Sequence, residues 1–244
     1  MSGAGFLVPD WPAPATVRAV MTTRAGGVSA GPWASLNLAS HVGDDPAAVA
    51  ENRRRLRAGL DLPSEPSWLR QVHGHEVARL PQPLTDSADA AVAFERGPVC
   101  AVLVADCLPI FLASRDGDRV GVAHAGWRGL AAGVVEATVV ALSCDPARLV
   151  AWLGPAIGPL AFEVGEEVRA AFIEGDPAAT THFHAGRAGR WMADLSALAR
   201  RRLMDCGVSS VHGGGTCTVS DPARFYSYRR DGVTGRMAAL AWLA

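Results

Sequence analysis

The chain reads as a mixed-sheet α/β (α+β) protein, with β-sheets flanked by helices. Three observations predict it. Apolar runs of strand length alternate with helical patterns through the middle of the chain, hairpin-like strand pairs are interleaved with them, and turn residues close each run. The 244 residues are 49% hydrophobic and 19% charged, a mixture able to bury a core, and one domain spanning 1–244 is the simplest organisation.

Taken in order, the Ala- and Pro-rich opening predicts an extended arm over 1–16 that leads into a strand at Val17–Thr22. Asp45-Pro46 supplies an N-cap and a first-turn proline for a helix from Ala47 to about Gly59. Val77–Leu80 follows, then a short polar loop carrying Asp86 and Asp89. Val99–Ala105 is continuously apolar and reads as a buried strand. Beyond Asp106-Cys107, a second strand spans Pro109–Ala113, and the turn Asp116-Gly117-Asp118 leads into a third at Arg119–His124. A helix over Ala131–Leu142, a strand at Leu149–Leu153, helices at Gly165–Ile173 and Asp194–Cys206, and a last strand near Met237–Trp242 complete the pattern. No repeat or low-complexity linker interrupts it.

Composition narrows the chemistry. The 23 basic residues are all arginine, and with 24 acidic residues the formal charge is -1. Without lysine, Schiff-base, pyridoxal-phosphate and Walker-loop mechanisms are excluded, and any bound anion must be held by Arg, backbone N–H groups or a metal. The charge balance argues against a nucleic-acid partner. No apolar run reaches the roughly 18 residues of a membrane span, and the N-terminus does not read as a signal peptide. The five cysteines, odd in number and without paired spacing, read as reduced thiols, so the expected compartment is cytoplasmic. No heptad or apolar stripe argues for an oligomer; monomer and small homo-oligomer both stay open.

Three side chains stand where an apolar run gives way to a Gly- or Pro-containing turn: His73, Cys107 and His124. They are too far apart for a local zinc finger, so the fold would have to bring them together. Two imidazoles and a thiolate with an open fourth position make a catalytic zinc pattern. On composition alone, satisfied structural histidines and a core cysteine explain the same residues.

Longer strings change the balance. Thr22-Thr-Arg-Ala-Gly-Gly-Val-Ser29, Ser35-Leu-Asn-Leu, His41-Val-Gly-Asp-Asp, Asn52-Arg53, Gln71-Val-His-Gly, Ala105-Asp-Cys-Leu-Pro, His124-Ala-Gly-Trp-Arg-Gly, Gly154-Pro-Ala-Ile-Gly-Pro, Phe162-Glu-Val-Gly and Phe225-Tyr-Ser-Tyr-Arg-Arg-Asp-Gly-Val-Thr-Gly-Arg236 occur in that order. The chain closely resembles the YfiH/YlmD family, also called DUF152, the laccase-domain or the peptidoglycan-editing-factor family, from about residue 17 to 243. The resemblance implies a single α/β domain with mixed sheets, whose fold is also similar to a toxin cysteine deamidase. It implies a metal, usually zinc, on the residues matching His73, Cys107 and His124. It further implies phosphorolysis of adenosine, inosine, guanosine and S-methyl-5′-thioadenosine, deamination of adenosine, and a role in peptidoglycan precursor editing.

Under that resemblance Asp106, Cys107 and His124 are the catalytic candidates. Asp106 adjoins a ligand and would shuttle protons in deamination; bracing a turn is its alternative. The nucleic-acid deaminase signature is absent. Arg24, Arg53, Arg128 and Arg229 lie in family motifs and are the candidates for phosphate. Asn37, His41 and Tyr228 are the remaining candidates for nucleoside contacts. Trp127, Ser29 and Cys217 read as packing or turn residues, while His75, His182 and His184 carry no assigned role.

Three other readings remain. With seven histidines, the chain is short of ligands for a multicopper oxidase, although copper can compete for the His/Cys/His set. A cysteine hydrolase with Cys107 as nucleophile would use the same triplet. A non-enzymatic protein with a structural metal would need a fourth protein ligand.

Overall fold

The computed structural model describes residues 5–82 and 87–244. Most of the strands are laid into two sheets. A six-stranded sheet runs Ser210–Gly213, Leu149–Leu153, Leu108–Ser114, Val120–Ala125, Ala90–Ala93, Val77–Leu80. A five-stranded sheet runs Phe6–Leu7, Val17–Thr22, Met237–Leu243, Val99–Val104, Ser67–Trp68. Both are mixed: the pairs Ser210–Gly213 with Leu149–Leu153, Val77–Leu80 with Ala90–Ala93, and Ser67–Trp68 with Val99–Val104 are parallel, and the others antiparallel. A small third sheet is made from Glu163–Val164, Trp191–Ala193 and Phe183–Ala185.

The pleat explains why the central strands are apolar at every position. In Val99–Val104, Cys100, Val102 and Val104 face Phe111, Ala113 and Val122 of the other sheet. Val99, Ala101 and Leu103 face the opposite way, onto Leu38 and Leu56. Successive side chains alternate between faces, and here both faces are covered. The outer face of the six-stranded sheet, with Ile110, Leu112 and Ala123, packs on Val134, Val135, Leu198 and Leu203 of the flanking helices. The order of layers is therefore helix, sheet, sheet, helices, the mixed α/β architecture that the sequence predicts.

The strands Val17–Thr22, Val77–Leu80 and Leu149–Leu153 fall on their predicted bounds, and the other long strands lie within two residues of theirs. The helix Pro46–Leu60 starts as expected, with the Asp45 carboxylate accepting from the Ala47 amide at 3.0 Å. Two expectations need correction and one needs refinement. The single helix over Ala131–Leu142 is two, Trp127–Ala131 and Val134–Ala141, broken at Gly133, whose φ of +97° no helix residue adopts. Asp89 ends the polar loop directly before the Ala90–Ala93 strand but is fully buried there; Asp86 lies outside the described residues. His184, expected in a polar loop, sits in the strand Phe183–Ala185. Strands of two or three residues such as this one have too few positions to show a period. Among the described residues, no helix is long and apolar enough to cross a membrane.

Candidate metal centre

The three donors arrive on three separate segments, two turns and the end of a strand. Cys107 lies where the chain leaves the five-stranded sheet after Val99–Val104 and enters the six-stranded sheet at Leu108–Ser114. His124 lies near the end of the neighbouring strand, and the Leu108↔Ala125 pairing sets Cys107 against Gly126. His73 comes from the turn after Ser67–Trp68 and has a φ of +60°. His73 Nε2 and Cys107 Sγ are 3.8 Å apart, and one ligand atom from each of the three residues lies within 4.8 Å of the others. A tetrahedral zinc with N and S ligands has donor–donor edges of about 3.6 Å, so the spacing fits a metal drawing the three slightly inward. Gly126 makes the approach possible: a Cβ there would lie 2.9 Å from Cys107 Sγ and from His73 Cδ2.

One buried carboxylate organises two of these segments. Asp89 accepts the backbone N–H groups of Val72, His73 and Gly74 at 3.0, 2.9 and 2.7 Å. Its Oδ1 also lies 2.8 Å from Nδ1 of His124. An ionised carboxylate only accepts, so this nitrogen carries the proton and Nε2 is left as the lone-pair donor. The positive φ of His73 is thus held by three hydrogen bonds to a group that also orients His124. Burial pushes the Asp89 carboxyl up, but the His124 contact and the amides hold it below its ordinary value.

The unliganded donors form an ion pair. Burial pushes the Cys107 thiol up, yet the charge of His124 and hydrogen bonds to both imidazoles bring it down to about 6. For His124, burial favours the neutral ring, but Cys107 and Asp89 together raise it to about 9. A thiolate is the form that binds metal, so Cys107 is already prepared as a ligand.

The other expected residues divide sharply. Asp106, Cys107, Trp127, Tyr228 and Arg229 line one cavity of about 140 Å³, closed by Ile157, Phe162 and Leu195. Asp106, with a φ of +86°, accepts from the Thr218 hydroxyl at 2.6 Å, the Ser227 hydroxyl at 3.0 Å and the Arg229 amide at 2.7 Å. It ties three loops together at the cavity wall. The Arg229 guanidinium donates to the carbonyls of Ala161 and Glu163. Arg24 donates to Ala34 and Pro222 carbonyls and stacks on Tyr226. Arg53 donates to the Leu38 carbonyl and lies over Trp68. Arg128 is exposed and lies over the Trp127 ring. Asn37 is fully buried and spends its amide on Ala39, Asp44 and the Arg236 N–H. His41 is exposed; partial burial and the charges of Arg236 and Arg53 lower its pKa. Ser29 bonds Asp44 and Asn52, and Cys217 accepts from the Gly158 amide, as turn and packing residues do. His75 stands outside the donor group.

Two residues that the sequence reading passed over belong to this region. Asp89 could have been noticed as an acid directly against an apolar run. Arg236 ends one of the family strings and sits beside the Asp106–Cys107 turn.

Known proteins resemble this chain over its whole length. Residues 18–244 match the family described as multi-copper polyphenol oxidoreductase laccase. A purine nucleoside phosphorylase of Pseudomonas aeruginosa is 56% identical over 239 residues, 98% of each chain. The Escherichia coli protein named purine nucleoside phosphorylase YfiH is 51% identical over 240 residues, again 98% of each. The chain belongs to the YfiH/YlmD family. Solved structures agree: a Neisseria meningitidis DUF152 protein, 48% identical, superposes with a TM-score of 0.94 over 98% of this chain and 99% of that one. YlmD from Geobacillus stearothermophilus, 33% identical, does so with 0.91 over 100% and 97%. The fold described above is therefore the YfiH/YlmD fold, and its metal-ligand candidates lie at the junction of the two large sheets.

Proposed function

We propose that this YfiH/YlmD protein is a zinc-dependent purine nucleoside phosphorylase acting on adenosine, inosine, guanosine and S-methyl-5′-thioadenosine. Deamination of adenosine is the second activity proposed. The observation that carries the reading is the His73–Cys107–His124 triangle, a three-donor set opening beside a cavity, in a chain 56% identical to a protein named for this activity.

Two imidazoles and a thiolate suit zinc, which supplies Lewis acidity when bound. Copper can compete for the same donors. The chain's own residues do the rest. Asp89 keeps the proton on Nδ1 of His124 and so fixes the ring that faces Cys107. Phe162, Ile157 and Trp127 give the cavity an apolar wall that excludes water. Tyr228, 61% exposed at the mouth, offers a ring face to a purine. In phosphorolysis the C1′–N9 bond breaks with its electron pair going to the base. A phosphate oxygen bonds to C1′, and the proton of hydrogen phosphate ends on the base. For deamination, Asp106 remains the proposed proton carrier, and it would have to loosen one of its three bonds to act. A thiolate ligand requires a compartment where thiols stay reduced, which favours the cytoplasm.

The test is direct. Protein purified without chelator should carry about one zinc per chain by mass spectrometry, as a single three-donor site requires. It should release hypoxanthine from inosine only when phosphate is present, and His124→Ala should abolish both metal and turnover. Conversion of adenosine to inosine without phosphate tests the deaminase part. Absence of both metal and nucleoside turnover overturns the proposal. Full activity after chelation, lost in Cys107→Ser, would instead support a cysteine hydrolase, which the 3.8 Å His73–Cys107 contact also permits.

A further inference from the structure

A phosphorylase must hold a phosphate dianion, and this chain has no lysine to do it. Of the four arginines expected in that role, Arg24, Arg53 and Arg229 donate to backbone carbonyls and cover aromatic rings. Arg128 lies exposed over Trp127. Arg236 is different in place and in bonding.

Arg236 directly precedes the strand Met237–Leu243, and Met237 pairs with Val104. The antiparallel register therefore sets Arg236 against Ala105, at the entrance to the Asp106–Cys107 turn. Its amide donates to Asn37 Oδ1 at 3.0 Å, which anchors the backbone. Only Nη1 of its guanidinium is engaged, with the carbonyls of Thr234 at 2.9 Å and Gly235 at 3.1 Å. Nε and Nη2 have no acceptor among the described residues, although the side chain is half-buried. The guanidinium carbon lies 5.8 Å from the centre of the Tyr228 ring, and Tyr228 lines the same cavity as Asp106 and Cys107. Nε–H and Nη2–H form the side-on pair with which arginine grips two oxygens of a carboxylate or phosphate. Here that pair is left open while the third nitrogen is pinned, so the fork is oriented before anything binds.

We propose that Arg236 holds the phosphate co-substrate beside the metal centre. The assignment rests on the phosphorylase reading and gives the anion to a residue other than the four arginines expected from the sequence.

The experiment uses zinc-loaded wild type, Arg236→Met and Arg236→Lys, with phosphate varied at saturating inosine. Losing two charge-assisted hydrogen bonds should raise the KM for phosphate about 100-fold in Arg236→Met. The KM for inosine should stay within about two-fold, and Arg236→Lys, which keeps the charge but not the fork, should recover part of the loss. Phosphate should also protect the wild type against thermal unfolding and fail to protect Arg236→Met. Zinc content and circular dichroism confirm that the variants are folded. An active wild type with an unchanged phosphate KM in Arg236→Met overturns this assignment alone. A wild type that never cleaves inosine overturns the phosphorylase reading and the assignment with it. Weaker inhibition by inosine 5′-monophosphate in Arg236→Met, with the phosphate KM intact, would mean that the arginine reads a phosphate on the substrate, and the proposal fails.

Discussion

Asp89 makes four contacts with two oxygens: three backbone N–H groups and the His124 ring. An amide in its place offers one acceptor oxygen and turns an NH₂ group toward donors. Asp89→Asn should therefore lose the orientation of His124 and loosen the His73 turn at once. Metal affinity, read by competition with a chromophoric chelator, should fall on the order of 10–100-fold. Unchanged affinity would show that the carboxylate is structural only. Asp106 shows the same economy for a different purpose: its three bonds come from the turn at Thr218 and from Ser227 and Arg229 at the start of the short helix Tyr228–Asp231, and they close the cavity wall. The residue type was visible in the sequence, but neither set of partners was, since they lie up to 123 positions away.

At the scale of elements, the short helix Trp127–Ala131 matters for where it begins. Gly126 precedes it, pressed against the donors, and Gly129 within it would bring a Cβ to 2.8 Å from the Gly74 carbonyl. Gly126→Ala should displace Cys107 or His73 and reduce zinc stoichiometry well below that of the wild type. Far-UV circular dichroism should remain unchanged, since most of the sheet structure lies elsewhere. Wild-type zinc content in this variant would mean that the turn has slack which the geometry does not show. The break at Gly133 then lets Val134–Ala141 turn to pack Val135 and Val139 on the sheet. An apolar run does not reveal such a break, because Ala, Val and Leu on either side suit a continuous helix.

For the whole molecule, the donors tie together turns from both sheets, so metal binding and folding are coupled. Without metal, the Cys107–His124 ion pair gives stability a predictable pH dependence. Cys107 is lowered from its ordinary 9.0 to about 6, so its contribution is present above the ordinary value and is lost as pH falls through about 6. His124 is raised from 6.5 to about 9, so its contribution is present below 6.5 and is lost as pH rises through about 9. Because one contribution rises with pH as the other falls, their sum is nearly level between about pH 6 and 9, and the ion pair is read directly: alkylation of Cys107 in the metal-free protein, followed by mass spectrometry, should slow as pH falls through about 6, and in His124→Gln should already slow at higher pH. Identical pH profiles in the two proteins would contradict the ion pair.

What the sequence determined by itself is whatever depends on residue type and near neighbours. Leu149–Leu153 was readable because strands covered on both faces are apolar throughout, and Val17–Thr22 because only the exposed Arg18 interrupts its apolar run; turn residues close both. His73, Cys107 and His124 were readable as donors because imidazole and thiol chemistry is written in the residue, and each follows or ends an apolar run. The absence of lysine narrowed the anion site to arginine before any coordinates. The tertiary structure alone decided which arginine stands beside the Asp106–Cys107 turn with an open fork, which acid is buried behind a histidine, and how closely three distant donors meet. Those properties depend on desolvation and on strand register, and both arise only when segments far apart in the chain are packed against one another.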